Sequence, residues 1–252
     1  MPESVLINTV GTSPMVVTEM FQYLRNTENL RDIIIIYTND EEVVSGVRAS
    51  VGALLSIAPE LRIHLRPLRL QDVSDEESAL HFLEVLVEII YEERNRYGIN
   101  KVFFNASGGR KVQSMAVSGM AALMGIDRIF SVVNKKMKNY NEAYERHKDT
   151  ILSFLNAGPG IHDMASHYNR NRRILDRIFF PDSADIEIME TPIIRIPDDV
   201  RSEMRRAIEG VDLESGDIPD FRIRAYRDSG LITFDRSRTY ANTLGSIILK
   251  LL

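Results

Sequence analysis

Four consecutive isoleucines, Ile33 to Ile36, lead into Tyr37 and Thr38. An extended chain sends successive side chains to opposite faces, so a run that is apolar at every position needs cover on both faces. The same demand recurs in residues 5–10 (Val-Leu-Ile-Asn-Thr-Val), 101–105 (Lys-Val-Phe-Phe-Asn) and 128–134 (Arg-Ile-Phe-Ser-Val-Val-Asn). Residues 61–65 read as a further strand, and 150–155 as a sixth. Helical spacing fills the intervals. Met20, Phe21 and Leu24 share one face, as do Val44, Val47, Val51 and Leu54 before Pro59 ends their helix. Leu80, Leu83, Val87 and Ile90 follow Ser74-Asp75-Glu76-Glu77, which matches a capping box with Ser at N-cap and Glu at N3. Val112, Met115, Gly119 and Leu123 mark one side of the next helix.

Continuous apolar strands alternating with helices specify an α/β fold: a doubly wound, mainly parallel, Rossmann-like sheet. Right-handed crossovers favour the strand order 3-2-1-4-5. In that order the loops after the first and fourth strands meet where sheet growth reverses, and such sheets bind ligands there. The Gly158-Pro159-Gly160 break sets an expected boundary between a ligand-binding domain, residues 1–156, and a smaller part, 157–252. Within the smaller part, 229–252 resembles the closing half of a winged helix.

Composition removes several chemistries. No cysteine means no disulfide, no thiolate metal site and no Cys nucleophile. That suits a reducing cytoplasm. Met1-Pro2-Glu3-Ser4 lacks the basic start of a signal peptide, and no run is long enough to span a membrane. A net charge of −5 argues against broad nucleic-acid binding but leaves room for a small basic site.

Two loops carry the chemistry. Gly11-Thr12-Ser13-Pro14 follows the first strand. Ser-Pro there is a helix cap in its ordinary role, and an anion site if the hydroxyls and free N–H groups face a phosphate. Asn105-Ala106-Ser107-Gly108-Gly109-Arg110-Lys111 follows the fourth strand. Gly108-Gly109 lets backbone approach a ligand closely, and Arg110 and Lys111 stand at a helix start, where the macrodipole disfavours cations. A bound anion would relieve that conflict. No G-x-G-x-x-G follows the first strand, Gly-Gly-Arg-Lys is not a P-loop, and no G-x-S-x-G elbow exists.

These two loops resemble the signature motifs of the CRISPR-associated Rossmann-fold (CARF) domain, over roughly residues 1–156. Their Gly-Thr-Ser-Pro and Gly-Gly-Arg-Lys forms are most similar to the ring nucleases of that family, which degrade cyclic tetra-adenylate. The resemblance implies a homodimer whose paired crevices form one two-fold site. It implies that no metal or other cofactor is needed: a ribose 2′-hydroxyl attacks the adjacent phosphorus and leaves a 2′,3′-cyclic phosphate. Ser13, Arg110 and Lys111 would be the catalytic residues. Gly11, Thr12, Ser13, Asn105, Ser107, Gly108, Gly109, Arg110 and Lys111 would bind ligand, with Thr38, Asn39 and Asn134 placed as base or ribose contacts by position. Some ring nucleases use a further basic residue from the C-terminal part; Arg170, Arg172 and Arg173 are the candidates here. Lys135, Lys136 and Lys138 are either a solvated loop or ligand contacts. None of the five histidines sits in the Arg-x₄₋₆-His motif of the related ribonuclease domains. Alternative functions are a cyclic oligoadenylate-gated transcriptional regulator and a non-catalytic sensor. Residues 157–252 hold 14 Lys and Arg against 16 Asp and Glu, a balance that disfavours DNA binding.

Overall fold

In the computed structural model, residues 2–235 and 237–252 are described. The chain runs β1 (Glu3–Val10), α1 (Val16–Leu24), β2 (Asn29–Tyr37), α2 (Glu41–Ile57), β3 (Arg62–Pro67), α3 (Glu76–Tyr91), β4 (Lys101–Asn105), α4 (Lys111–Met124) and β5 (Arg128–Asn134). There follow α5 (Met137–Arg146), α6 (Lys148–Leu152), α7 (Ile161–Phe179), β6 (Ile186–Thr191), α8 (Asp198–Glu209), α9 (Asp220–Asp228), β7 (Ile232–Phe234), β8 (Thr239–Ala241) and α10 (Thr243–Ile248). The main sheet has the order β3-β2-β1-β4-β5-β6. Its first five strands are parallel, and β6 pairs antiparallel with β5.

The isoleucine run explains the layering. Ile34 and Ile36 pack with Val5, Ile7, Val102 and Phe104 under α3 and α4. Ile33 and Ile35 pack with Leu6, Val10, Phe103 and Phe130 under α1 and α2. All four isoleucines are fully buried, so each side of the sheet has its own core. A third layer lies outside α2. Helix α7 crosses it at Gly52, where a Cβ would come within 2.7 Å of the Met164 carbonyl oxygen. Only glycine permits that approach of two helix backbones.

Three expectations change. Residues 150–155 are not a strand: Ile151 and Phe154 enter one apolar cluster at helical spacing, and α6 leads there into a 3₁₀ turn. The sixth strand is β6. The cap of α3 lies one residue later than the Ser74 reading, with Asp75 accepting from the Ser78 N–H at 2.9 Å and Ser78 Oγ accepting from the Asp75 N–H at 3.2 Å. The Val112-Met115-Gly119 side of α4 faces outward, with Met115 74% exposed, because Gln113, Val117, Ala121 and Met124 take the inner side. Both stripes have the same period, so periodicity alone did not separate them.

The Gly158-Pro159-Gly160 break precedes α7, which packs on α2, and β6, which completes the sheet. Beyond them, α8, α9, the β7–β8 hairpin and α10 share a separate apolar cluster around Met204, Ile208, Ile223, Ile232 and Ile248. That cluster reaches the sheet's helical cover through Met120 and Leu244, and Arg201 donates to the Ala122 and Leu251 carbonyls at 2.7 Å each. No described helix is long and apolar enough to cross a membrane.

Candidate functional site

Strand β1 lies between β2 and β4, so the loops leaving β1 and β4 open on the same end of the sheet. They touch each other directly. Thr9 Oγ1 donates to the Gly108 carbonyl at 2.9 Å, and a Cβ on Gly108 would lie 2.0 Å from the Thr9 carbonyl oxygen. A Cβ on Gly11 would stand 3.4 Å from Gly109 Cα. Gly109 itself has φ +73°, the left-handed region. The glycine pair thus serves first to seat one loop against the other.

The buried asparagines are struts. Asn105 donates through Nδ2 to Asn8 Oδ1 at 2.9 Å and to the Val16 carbonyl at 3.0 Å, and its Oδ1 accepts the Ser107 N–H at 3.1 Å. One fully buried side chain thereby ties β1, the start of α1 and the β4 loop together. Ser107 Oγ accepts the Val132 N–H at 2.5 Å. Asn134 donates to Glu19 Oε1 at 3.1 Å and accepts the Lys136 N–H at 2.9 Å. Burial pushes the Glu19 carboxyl above its ordinary range, and the Asn134 bond offsets part of that rise.

Ser13 is not a cap. Helix α1 starts at Val16 after Met15, with no side-chain cap. Pro14 is instead wedged against α2, its ring where a Cβ on Gly46 would meet Cγ at 2.9 Å, and its carbonyl accepts Ser50 Oγ at 2.9 Å. The hydroxyls of Thr12 and Ser13 have no hydrogen-bond partner among the described residues.

Arg110 is compensated, contrary to the expectation from the helix dipole. Its guanidinium meets Asp72 from the β3–α3 connection, with Nε to Oδ1 at 2.7 Å. The pair holds the Asp72 carboxyl below the usual range. Gln113 Oε1 accepts the Arg110 N–H at 2.8 Å, satisfying one open donor at the start of α4. Lys111, the first residue of α4, is exposed and has no ion pair among the described residues.

Gly11, Thr12, Thr38, Gly109 and Arg110 line one crevice of about 310 Å³. Ser13, Asn39, Asn105, Ser107, Gly108, Lys111 and Asn134 do not line it. Five polar residues that sequence reading missed do line it: Asp40, Glu42, Gln71, Asp72 and Gln113. A larger cleft of about 1710 Å³ lies on the far side of Asp72, between the start of α3 and α10. Asp75, Glu76, Glu77 and Glu84 make that cleft acidic. The smaller crevice carries Asp40, Glu42 and Asp72 beside Arg110, with Glu42 and Asp72 engaged by Lys148 and Arg110.

Most side chains of the other basic runs have local partners. Lys135, Lys136 and Lys138 pair with Glu187, Asp185 and Glu142. Tyr168 is buried, Arg172 pairs with Asp176, and none of Arg170, Arg172 and Arg173 lines the crevice.

The family model described as CRISPR-associated protein NE0113 matches residues 13–217, a span that holds the β4 loop and begins within the β1 loop at Ser13. Among solved structures, Enterococcus italicus Csm6 bound to cyclic hexa-2′-fluoro-hexa-dAMP aligns over 81% of this chain and 45% of its own, at 13% identity and a TM-score of 0.49. This chain therefore spans less than half of that protein's length. No curated protein matches the sequence.

Proposed function

Because this chain belongs to the CRISPR-associated NE0113 family, we propose that its crevice binds cyclic tetra-adenylate and cleaves it to linear di-adenylate with 2′,3′-cyclic phosphate ends, switching off a type III CRISPR antiviral signal. One observation carries the reading. The unpartnered hydroxyls of Thr12 and Ser13 follow Gly11, which packs against Gly109, and the cations Arg110 and Lys111 come next in that second loop, at the switch point of a parallel sheet. Open hydroxyls, close backbone and Lys111, unpaired among the described residues, suit a ligand made of phosphodiesters.

The chemistry follows from what the chain supplies. The ribose 2′-oxygen attacks phosphorus, the P–O2′ bond forms, and the P–O5′ bond breaks. The proton leaves the 2′-hydroxyl and one is taken up by the departing 5′-oxygen. Two such cuts open the ring into two di-adenylates. Ser13 orients the scissile phosphate, and Lys111, with Arg110, stabilises the charge that builds on the phosphoryl oxygens. The substrate carries its own nucleophile, so positioning and charge are all that the protein must add.

A second copy of the chain would double this floor. The outward side of α4, with Val112 and Met115 exposed and Gly119 open, starts at Lys111 and is an apolar face next to the crevice. Pairing through it would bring two crevices together on a two-fold axis. Residues 198–252, which lie outside the sheet, then act as a lid or dimerisation element.

The test is incubation of the purified protein with cyclic tetra-adenylate in EDTA. Linear di-adenylate with cyclic phosphate ends is expected. Ser13→Ala and Lys111→Ala should each slow cleavage by about 100-fold. Tight binding without cleavage would leave a sensor and overturn the enzyme. Full activity in both variants would overturn the residue roles.

A further inference from the structure

The connection from β3 to α3 takes an uncommon path into the crevice. Arg69 has φ +57°, the one non-glycine residue with positive φ among the described residues. Such strain persists only where the surroundings hold it, and it concentrates at ligand sites. Here the hold is explicit. The Leu68 N–H donates to the Tyr37 carbonyl at 2.8 Å, and the Leu70 carbonyl accepts the Asn39 N–H at 2.6 Å. The turn at Arg69 therefore clips this connection to the end of β2 and delivers Gln71 and Asp72 to the crevice wall.

Most polar groups on that wall are already engaged. Asp72 holds Arg110, and Glu42 holds Lys148 at 2.8 Å. Asp40 uses Oδ1 alone to accept the Glu42 and Val43 N–H groups, at 3.0 and 3.1 Å, and so caps α2. Its Oδ2 has no partner among the described residues, and neither end of the Gln71 amide has one. Besides the hydroxyls of Thr12 and Thr38, the crevice thus presents an open carboxylate oxygen on Asp40 and an open amide on Gln71. The carboxylate is a misfit for a phosphate but a good acceptor for an amine.

Resting on the cyclic oligoadenylate reading above, we propose that Gln71 and Asp40 read the base and select adenine. An amide offers a donor and an acceptor side by side, the complement of an adenine edge, where the exocyclic N6 amine adjoins a ring-nitrogen acceptor. The second N6 hydrogen goes to Asp40 Oδ2. A purine with oxygen at C6 would set that oxygen against the carboxylate and is rejected by repulsion as well as by a lost bond. Arg110 and Lys111 then grip the backbone of the ring while the β2 and β3 connections inspect its bases.

Calorimetric titration of the full chain with two rings tests this. Cyclic tetra-adenylate and cyclic tetra-inosinate have the same phosphates and riboses and differ at C6. The wild type should prefer the adenylate ring by about tenfold or more. Gln71→Ala should weaken adenylate binding by about tenfold and inosinate binding little. Asp40→Asn keeps the Oδ1 acceptor that caps α2, so its Tm should match the wild type, while its new amide N–H should shift preference toward inosinate. Equal wild-type affinity for both rings, or an unchanged ratio in both variants, would overturn the base assignment and leave the ligand class standing. Failure of the wild type to bind either ring would overturn both.

Discussion

Arg110 and Asp72, 38 positions apart in the chain, meet through two parallel charge-assisted hydrogen bonds, Nε to Oδ1 and Nη2 to Oδ2. The guanidinium that should face a phosphate is therefore already on a carboxylate. A phosphate can take the same fork only by displacing Asp72. Asp72→Asn should accordingly raise affinity for cyclic tetra-adenylate by roughly threefold, the scale of an exposed ion pair. The gain should shrink at high salt. Titration calorimetry at two ionic strengths checks both, and a loss of affinity would mean that Asp72 positions Arg110 rather than competes for it.

Gly108 is the tightest backbone approach in the site. Gly108→Ala puts a methyl 2.0 Å from the Thr9 carbonyl oxygen, a main-chain atom inside the central strand. The loop must move, at a cost of about 2 kcal/mol or more and a fall in Tm on the order of 5 °C. Thermal unfolding measures it. An unchanged Tm would show that the two loops are not seated as described.

Glu19 gives the protein a pH signature. Its folded carboxyl has a raised pKa because burial penalises the anion, with the Asn134 bond as a smaller opposing effect. The folded state thus holds a proton that the unfolded chain has already released. Stability from this group is present below the unfolded pKa and is lost as pH rises through the raised folded value. Glu19→Gln removes the anion and keeps an acceptor for Asn134. The Tm of the variant relative to wild type should rise as pH climbs from about 4, the ordinary glutamate value, through the raised folded value. A flat difference would place the anion in a better-solvated setting than its 2% exposure indicates.

Met115→Glu tests the paired arrangement. At 74% exposure the substitution costs the isolated chain little, but it places a charge in the face proposed for pairing. Sedimentation should show a dimer in the wild type and a monomer in the variant. Ring cleavage should fall with it, since half of the floor would be missing.

Much of this molecule is legible in its sequence because its strongest signals are local. The isoleucine run, the alternating helices and the loops ending in Gly11-Thr12-Ser13 and Gly108-Gly109-Arg110-Lys111 lie where periodicity and turn chemistry place them. What escaped depends on distance in the chain. Nothing near Arg110 announces Asp72. Asn105 and Asn134 look like ligand contacts because they end strands at the right edge, yet their amides are consumed by Asn8, Val16 and Glu19. Gln71 and Asp40 carry no motif; Gln71 reaches the crevice because the backbone turns at Arg69, and Asp40 because it caps α2 there. The stripe Val112-Met115-Gly119 has the right period and the wrong side, since the inner stripe includes a glutamine that bonds the Arg110 N–H.

Strand β6 has a consequence for how the molecule can be divided. It closes the ladder of β5 from far along the chain, pairing Asn134 with Ile186 and Ile129 with Thr191, and Arg128 grips Glu190 across the pair at 2.6 Å. A fragment ending at residue 156 would leave β5 as an open edge, rich in β-branched side chains, and uncover the trough at Gly52 where α7 lies. Exposed edges of that kind recruit one another and aggregate. The smallest soluble piece that keeps the crevice therefore extends past Thr191, and a ribosome must deliver most of the chain before the sheet has two finished sides.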